Sequence, residues 1–397
     1  MELSSLLSRF NEPETLKMAK MGRELRAQGF DITDLSLGEP DFDTPAHIRE
    51  AAKKAIDDNF SHYTPVSGYL DLRNAVCKKL KRDNGLDYTP DQIVVSTGAK
   101  QSIANTVMAI VDKDDEVIIP TPYWVTYSEI VRLAGGKVKL VNTTIDKDYK
   151  ITAEQLEAAI SSKTKLFMFS SPCNPTGAFY TKDELMLLAE VFKKYPRVFI
   201  MSDEIYEHIN FTFKHESIAQ FDFLKDRVII INGLSKGWAM TGWRLGYLAA
   251  PLEVAKACDK LQGQFTSGAN AITQRAAIAA LTGDMEPTYA MVKEFKERRN
   301  KVVELLNHIP GIKITEPAAA FYIFPEIDAY FKKQTPGGAH IENADDLCMY
   351  LLNDAHVSVV TGAAFGEPRC IRISFANSML NLEKGLKKIK DALAALD

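Results

Sequence analysis

Cysteine is scarce in this chain, and its few copies have no metal-binding arrangement. Cys77, Cys173, Cys258, Cys348 and Cys370 are scattered over 397 residues without a CxxC pair. That argues against a zinc site and fits a reducing compartment. Basic blocks are missing as well, and a formal charge of −4 argues against nucleic acid or an anionic membrane as the main partner. The mixed stretch 297–301 reads as a solvated helix face. No apolar run approaches the roughly 20 residues of a membrane span. Residues 1–10 lack a basic start followed by an apolar core, so the expectation is a soluble, cytoplasmic protein. A strand-linked GxGxxG is absent, which counts against dinucleotide binding. Internal repeats and low-complexity tracts are absent too, and 332–338 is the one loose patch.

Hydrophobic residues make up 46% of the chain and charged residues 25%, which is ordinary for a globular protein, and 397 residues suggest two domains of unequal size. Short β-branched runs at 92–96, 116–119, 137–141, 165–169, 197–201, 228–231 and 245–248 alternate with helical patterns. Runs without polar alternation predict strands covered on both faces, hence an α/β fold with a mostly parallel sheet. A large domain is expected over residues 45–285. A smaller one, with an N-terminal arm, is expected from 1–44 and 286–397, with strands near 321–324, 357–360 and 370–374 and a closing helix over 380–396. Polar motifs fall at the C-terminal ends of the runs, where open α/β sheets gather ligands.

Lys236 is the most informative of these residues. It follows the run 228–231 in a Gly/Ser turn, eight positions before Arg244. Desolvation lowers a lysine pKa, which makes the amine an imine-forming nucleophile and proton shuttle. Arg244 supplies a charge that clamps a phosphate. Amine and clamp together are what pyridoxal phosphate requires. The bland alternative is a loop lysine beside a salt-bridged arginine.

Four further motifs accompany it. Ser96-Thr-Gly-Ala-Lys-Gln101 opens a helix after a strand, and its free N–H groups form a phosphate seat. Ser170-Ser-Pro-Cys-Asn-Pro-Thr-Gly177 fixes Asn174 between two prolines, whose X–Pro bonds are candidates for cis geometry. Ser202-Asp-Glu-Ile-Tyr206 places Asp203 at a buried strand end, either as a helix cap or as the partner of a pyridinium nitrogen. Cys370-Ile-Arg-Ile-Ser374 puts Arg372 inside an apolar strand, where it needs a carboxylate, internal or from a substrate.

Together these residues closely resemble the class I aminotransferases of the fold-type I pyridoxal-phosphate superfamily. The resemblance begins at Leu37-Gly-Glu-Pro-Asp-Phe42 and Tyr63-Thr-Pro-Val-Ser-Gly-Tyr69 and covers nearly the whole chain. Within the class, the chain looks like bacterial aspartate aminotransferases. The resemblance implies that Lys236 forms the internal aldimine with pyridoxal 5'-phosphate and moves the proton between substrate and cofactor. It implies that Asp203 pairs with the ring nitrogen, that Tyr206 and Asn174 bond the ring oxygen, and that Trp124 stacks on the ring. Gly98, Ala99, Lys100, Ser235 and Arg244 would hold the phosphate. Arg372 and Gly38 would take the α-carboxylate, while Lys100 would meet the distal carboxylate of aspartate or glutamate. Tyr63 resembles the residue lent by a neighbouring subunit, which implies a homodimer. Amino acids and 2-oxo acids are the implied substrates.

The rivals on the same fold are aromatic, alanine or prephenate aminotransferases and a β-lyase. Prephenate users tend to carry a basic residue near the N-terminus, where this chain has Glu12 and Glu14; an extra anion there disfavours a dicarboxylate. A cofactor-binding transcription regulator would carry a DNA-binding domain ahead of the motif at Gly38; with 37 residues before it here, the expectation is against that reading.

Overall fold

The computed structural model describes residues 3–12, 14–212 and 214–397, with residues 14–16 described by backbone only. Near the N-terminus a two-residue strand, β1 (Thr33–Asp34), precedes the main sheet. That sheet holds β2 (Ile93–Ser96), β3 (Glu116–Thr121), β4 (Lys137–Asn142), β5 (Thr164–Ser170), β6 (Phe199–Asp203), β7 (Val228–Gly233) and β8 (Gly246–Ala249). Its order is β2-β8-β7-β6-β5-β3-β4. The pairs β3–β4, β3–β5, β5–β6 and β6–β7 are parallel, while β8 runs antiparallel to both β2 and β7.

All seven predicted runs are strands. Six point one way, so their carboxyl ends share an edge of the sheet. The strands β2, β7 and β8 are buried throughout, as runs covered on both faces require. Strand β4 departs from that expectation. It lies at one margin of the sheet and has exposed residues at both ends, whereas β2 at the other margin is buried throughout.

Apolar clusters lie on both faces of this sheet, one containing Ile118, Phe167 and Ile230, the other Val117, Met168 and Ile231. Neighbours along a strand point to opposite faces, which is why adjacent residues divide between the clusters. A separate core gathers Leu35, Phe295, Phe321, Leu351, Ile373 and Ile389. It surrounds the antiparallel sheet β11 (Val360–Thr361), β12 (Ile371–Ser374) and β9 (Tyr322–Ile323). Strand β1 pairs in parallel with β10 (Val357–Ser358), so the segment before the main sheet joins elements near the C-terminus.

The stretch 297–301 is a solvated face only in part: Glu297 and Asn300 are exposed, but its two arginines are not. Arg298 and Arg299, within the helix Glu286–Asn307, are only 6% and 4% exposed. Arg298 bonds Asp41 at 2.6 Å and Glu294 at 3.1 Å, and its guanidinium lies 5.0 Å from the Phe42 ring. Arg299 bonds the Pro317 carbonyl at 2.9 Å and Glu316 at 2.6 Å. Glu294 is on the same helix, but Asp41 is remote in sequence, and its bond to Arg298 holds residues 41–42, next to Gly38, against the second core.

Candidate active site

The shared strand edge concentrates the sequence motifs. Lys236 follows β7, Asp203 ends β6, Asn174 follows β5, Trp124 follows β3, and Gly98 follows β2. Arg244 precedes the reversed strand β8, so it arrives at the same edge from the opposite direction. Strands β12 and β9 of the second core add Arg372 and Tyr322. A cavity of about 280 Å³ is lined by Gly38, Ala99, Lys100, Trp124, Asn174, Asp203, Tyr206, Lys236, Tyr322 and Arg372, among others. Ser235 and Arg244 line an adjoining recess that shares Gly38, Ala99, Lys100, Trp124 and Lys236 with it.

The Lys236 amine donates a short hydrogen bond to the Gly38 carbonyl and lies 5.8 Å from the Tyr206 and Phe321 rings. Burial pushes its pKa down from 10.5 to about 8; Arg372 and Arg244 push the same way, while Glu39 and Asp203 oppose them. The folded protein therefore binds this proton less tightly than the unfolded chain. Below about pH 8 the charged amine costs stability, and that cost disappears as pH rises from 8 toward 10.5. Reactivity follows the same midpoint. Labelling of Lys236 by pyridoxal, which lacks the phosphate, should rise with pH about a midpoint near 8 in cofactor-free protein. Mass spectrometry after borohydride reduction measures this, and a midpoint at 10.5 would remove the role given to burial.

Asp203 is 3% exposed, and no cation lies within ion-pair distance of it among the described residues. Its Oδ2 accepts from the Tyr127 hydroxyl at 2.6 Å and its Oδ1 from the Ile205 amide at 3.2 Å. Burial raises its pKa from 3.8 to about 6 despite both donors. For a carboxylate raised in the folded state, stability falls as pH climbs from 3.8 through 6. At neutral pH the cost is on the order of 3 kcal/mol. A cationic ligand beside Asp203 would relieve it.

Arg372 is 2% exposed and has no carboxylate partner among the described residues. Its Nη1 donates to Asn174 Oδ1 at 3.0 Å and its Nη2 to the Ser36 carbonyl at 2.6 Å. The guanidinium lies 4.5 Å from the Tyr322 ring and 5.0 Å from that of Phe365. Neutral acceptors and ring faces orient the charge without neutralising it, and Nε has no partner. An uncompensated buried guanidinium calls for an anionic ligand. Tyr322 also shares a 2.9 Å hydrogen bond with Tyr206 and crowds Gly38, where an added Cβ would lie 2.8 Å from the Tyr322 hydroxyl.

The second anion seat lies at the start of the helix Ala99–Ile110, which has no side-chain cap. Gly98 precedes it at φ 83°, and a Cβ there would meet Arg244 Nη2 at 2.4 Å. Gly246 allows an equally close approach, since its Cβ would lie 2.2 Å from the Ala99 amide nitrogen. Arg244 is fixed by a 2.7 Å bond from Nη1 to the Thr241 carbonyl. A helix N-terminus with a guanidinium over its first turn suits a phosphate. The site thus offers an amine of lowered pKa, a buried carboxylate lacking a cation and a phosphate seat. These residues fit pyridoxal 5'-phosphate.

The family model for class I and II aminotransferases matches residues 31–389. The chain belongs to that family. This aminotransferase is 45% identical over 390 residues to a probable aspartate/prephenate aminotransferase of Rhizobium leguminosarum bv. phaseoli, covering 98% of each chain. It superposes on the aspartate aminotransferase of Rhizobium meliloti with a TM-score of 0.97 at 41% identity, covering 100% of both chains. A Thermus thermophilus aspartate aminotransferase solved with maleate gives a TM-score of 0.92 at 36% identity, covering 99% of this chain and 100% of that one. The α/β architecture is therefore that of fold-type I aminotransferases.

Sequence reasoning missed two residues of this aminotransferase's cavity. Tyr127 and Tyr322 occur in apolar surroundings where aromatics read as packing; their hydroxyl partners, Asp203 and Tyr206, are remote in sequence. Lys100 stands 5.0 Å over the Trp124 ring, and no carboxylate pairs with it among the described residues. Burial, then Arg244, lowers its pKa. Tyr63 is not brought to its own chain's cavity. It is 96% exposed, in a groove with Phe60, His62, Thr266 and Ile272. Among the described residues no helix is long and apolar enough to cross a membrane.

Proposed function

We propose that this aminotransferase carries pyridoxal 5'-phosphate and converts L-aspartate and 2-oxoglutarate to oxaloacetate and L-glutamate by a ping-pong route. The observation that carries the reading is a pair of cations, Arg372 and Lys100, which line one cavity with Lys236 and have no carboxylate partner among the described residues. Two cations on one cavity suit a substrate with two carboxylates.

When bound, pyridoxal phosphate supplies an aldehyde that takes up amino groups and a ring that accepts the electron pair left at the α-carbon. Lys236 Nζ, whose pKa burial lowers to about 8, would take the proton from the substrate α-carbon and deliver it to the carbon that had carried the aldehyde, not back to its origin. The Gly38 carbonyl holds this amine, while Arg372 binds the α-carboxylate by its two-pronged face. Asp203 would keep the ring nitrogen protonated, Gly98, Ala99, Ser235 and Arg244 would hold the phosphate, Trp124 would pack against the ring, and Asn174 and Tyr206 would bond its oxygen. Lys100 receives the distal carboxylate.

Replacing Lys100 by alanine should lower kcat/KM for aspartate by about 10- to 100-fold, the range for removing one charged hydrogen bond. Alanine and phenylalanine should lose far less. Stopped-flow half-reactions with the three amino acids make the comparison, and equal losses would end the dicarboxylate assignment. The aromatic, alanine and β-lyase alternatives give different rankings in the same assay.

Prephenate remains a second reading, favoured by relatives that are named aspartate/prephenate aminotransferases and are 44–45% identical. They weigh against setting prephenate aside on the strength of Glu12 and Glu14. Glu12 is exposed, and the Glu14 side chain lies outside the described residues. Prephenate belongs in the same panel as an amino acceptor. We place the enzyme in the cytoplasm as a homodimer, with Tyr63 of each subunit completing its neighbour's site; its exposure on its own chain supports that arrangement. Two units, residues 45–285 and residues 1–44 with 286–397, are the proposed domains.

A further inference from the structure

We propose that Tyr127 is a positioning residue for the cofactor's ring nitrogen, acting through Asp203 rather than by touching the ring. The inference rests on the pyridoxal-phosphate reading above. Asp203 is buried and has only two donors among the described residues, one for each oxygen. The Ile205 amide is backbone and close in the chain. Tyr127 is the only side-chain donor among the described residues, and its 2.6 Å bond is the shorter of the two. Its side chain is 1% exposed, so bulk water does not compete for the carboxylate from that direction.

The placement of Tyr127 follows from the helix Thr126–Ala134, which starts immediately after Trp124. Trp124 and Tyr127 meet edge to face, with centroids 5.7 Å apart and planes at 88°. One helix start therefore sets both the aromatic wall of the cavity and the hydroxyl that fixes Asp203. Sequence position also separates the two roles. Trp124 lies at the cavity's half-exposed side, while Tyr127 is fully enclosed and reaches β6.

The hydroxyl has an electrostatic consequence. A donor to the ionised carboxylate favours the charged form, whereas burial opposes it. The other groups facing Asp203 are Glu204, which raises its pKa, and Lys236, which lowers it. Tyr206 and Cys173 also face it, and Asp203 raises the pKa of both. Without the Tyr127 hydroxyl, Asp203 would take up a proton at higher pH and could no longer pair with a protonated ring nitrogen.

Tyr127→Phe removes one oxygen and keeps the ring packing. Equilibrium binding should be measured with pyridoxal phosphate and with its deaza analogue, in which a C–H replaces the ring nitrogen. The variant should bind pyridoxal phosphate about 10- to 100-fold more weakly at neutral pH. The deficit should shrink as pH rises and Asp203 ionises. Binding of the deaza analogue should be unchanged, which also reports that the variant is folded.

Equal weakening for both ligands would reduce Tyr127 to packing, and unchanged binding of both would remove the proposal altogether. Asp203→Asn provides an independent route. Adding Tyr127→Phe to it should cost no further affinity for pyridoxal phosphate, and an additive loss would overturn the inference. If the wild-type protein does not bind pyridoxal phosphate, the underlying functional reading fails instead.

Discussion

Lys236→Ala is expected to lower kcat by at least ~10⁴-fold, the upper range for removing a positioned acid–base group, with loss of the nucleophile added. Lys100, the other amine lining the cavity, is assigned to the distal carboxylate, which leaves hydroxyls and guanidiniums around position 236. Burial and Tyr322 hold the Tyr206 hydroxyl well above its usual pKa, and Tyr322 is raised by burial as well. A guanidinium such as that of Arg372 does not serve as a general base. The loss should not come from unfolding, because a buried, partly desolvated charge is being removed. Thermal stability should hold or increase, and borohydride treatment with pyridoxal phosphate should leave no label on the peptide spanning position 236. Turnover within tenfold of wild type would remove the central assignment.

The second large effect is expected for Arg372→Lys, a substitution that keeps the charge. Kcat/KM for dicarboxylic amino acids should fall by about 10²- to 10³-fold. That matches the roughly 2–5 kcal/mol for disrupting a buried, hydrogen-bonded charge pair. A guanidinium keeps its bonds to Asn174 and Ser36 while standing 4.5 Å from the Tyr322 ring and 5.0 Å from that of Phe365. An ammonium cannot present two parallel donors to a carboxylate. Asn174 would lose its partner as well, which loosens a second cavity residue. Steady-state kinetics checks the result, and kcat/KM within threefold of wild type would mean that the carboxylate binds elsewhere.

The main sheet was legible because its central strands are buried on both faces and spell themselves out as β-branched runs. The second core was harder to read. The run 357–360 was expected as one strand, but it divides at Val359. Val357–Ser358 pairs with β1, whereas Val360–Thr361 pairs with β12. Such a change of partner leaves no mark on hydrophobicity, and β1 itself is too short to show a period. The same reason separates the site residues. Lys236, Asp203 and Arg372 stand out because a charge at a buried strand or strand end is costly and demands a purpose. Tyr127 and Tyr322 carry no such cost, so an apolar reading satisfied them until their hydroxyl partners were visible. Arg298 and Arg299 failed in the opposite sense, since a charged helix stretch reads as solvated when its counter-ions lie in distant segments.

The reversed course of β8 divides the labour inside the cavity. Because it is hydrogen-bonded to both β2 and β7, the turn bearing Lys236, the guanidinium of Arg244 and the amides after Gly98 belong to one stitched frame. Arg372 stands on a different frame, anchored to β9 and β11. A rocking of one core on the other would carry the substrate's grip toward or away from the amine while the distance from amine to phosphate seat stayed constant. Two hydrogen bonds, Arg372 to Asn174 and Lys236 to Gly38, cross between the frames, so an opening of that kind would have to break both while leaving the phosphate seat whole.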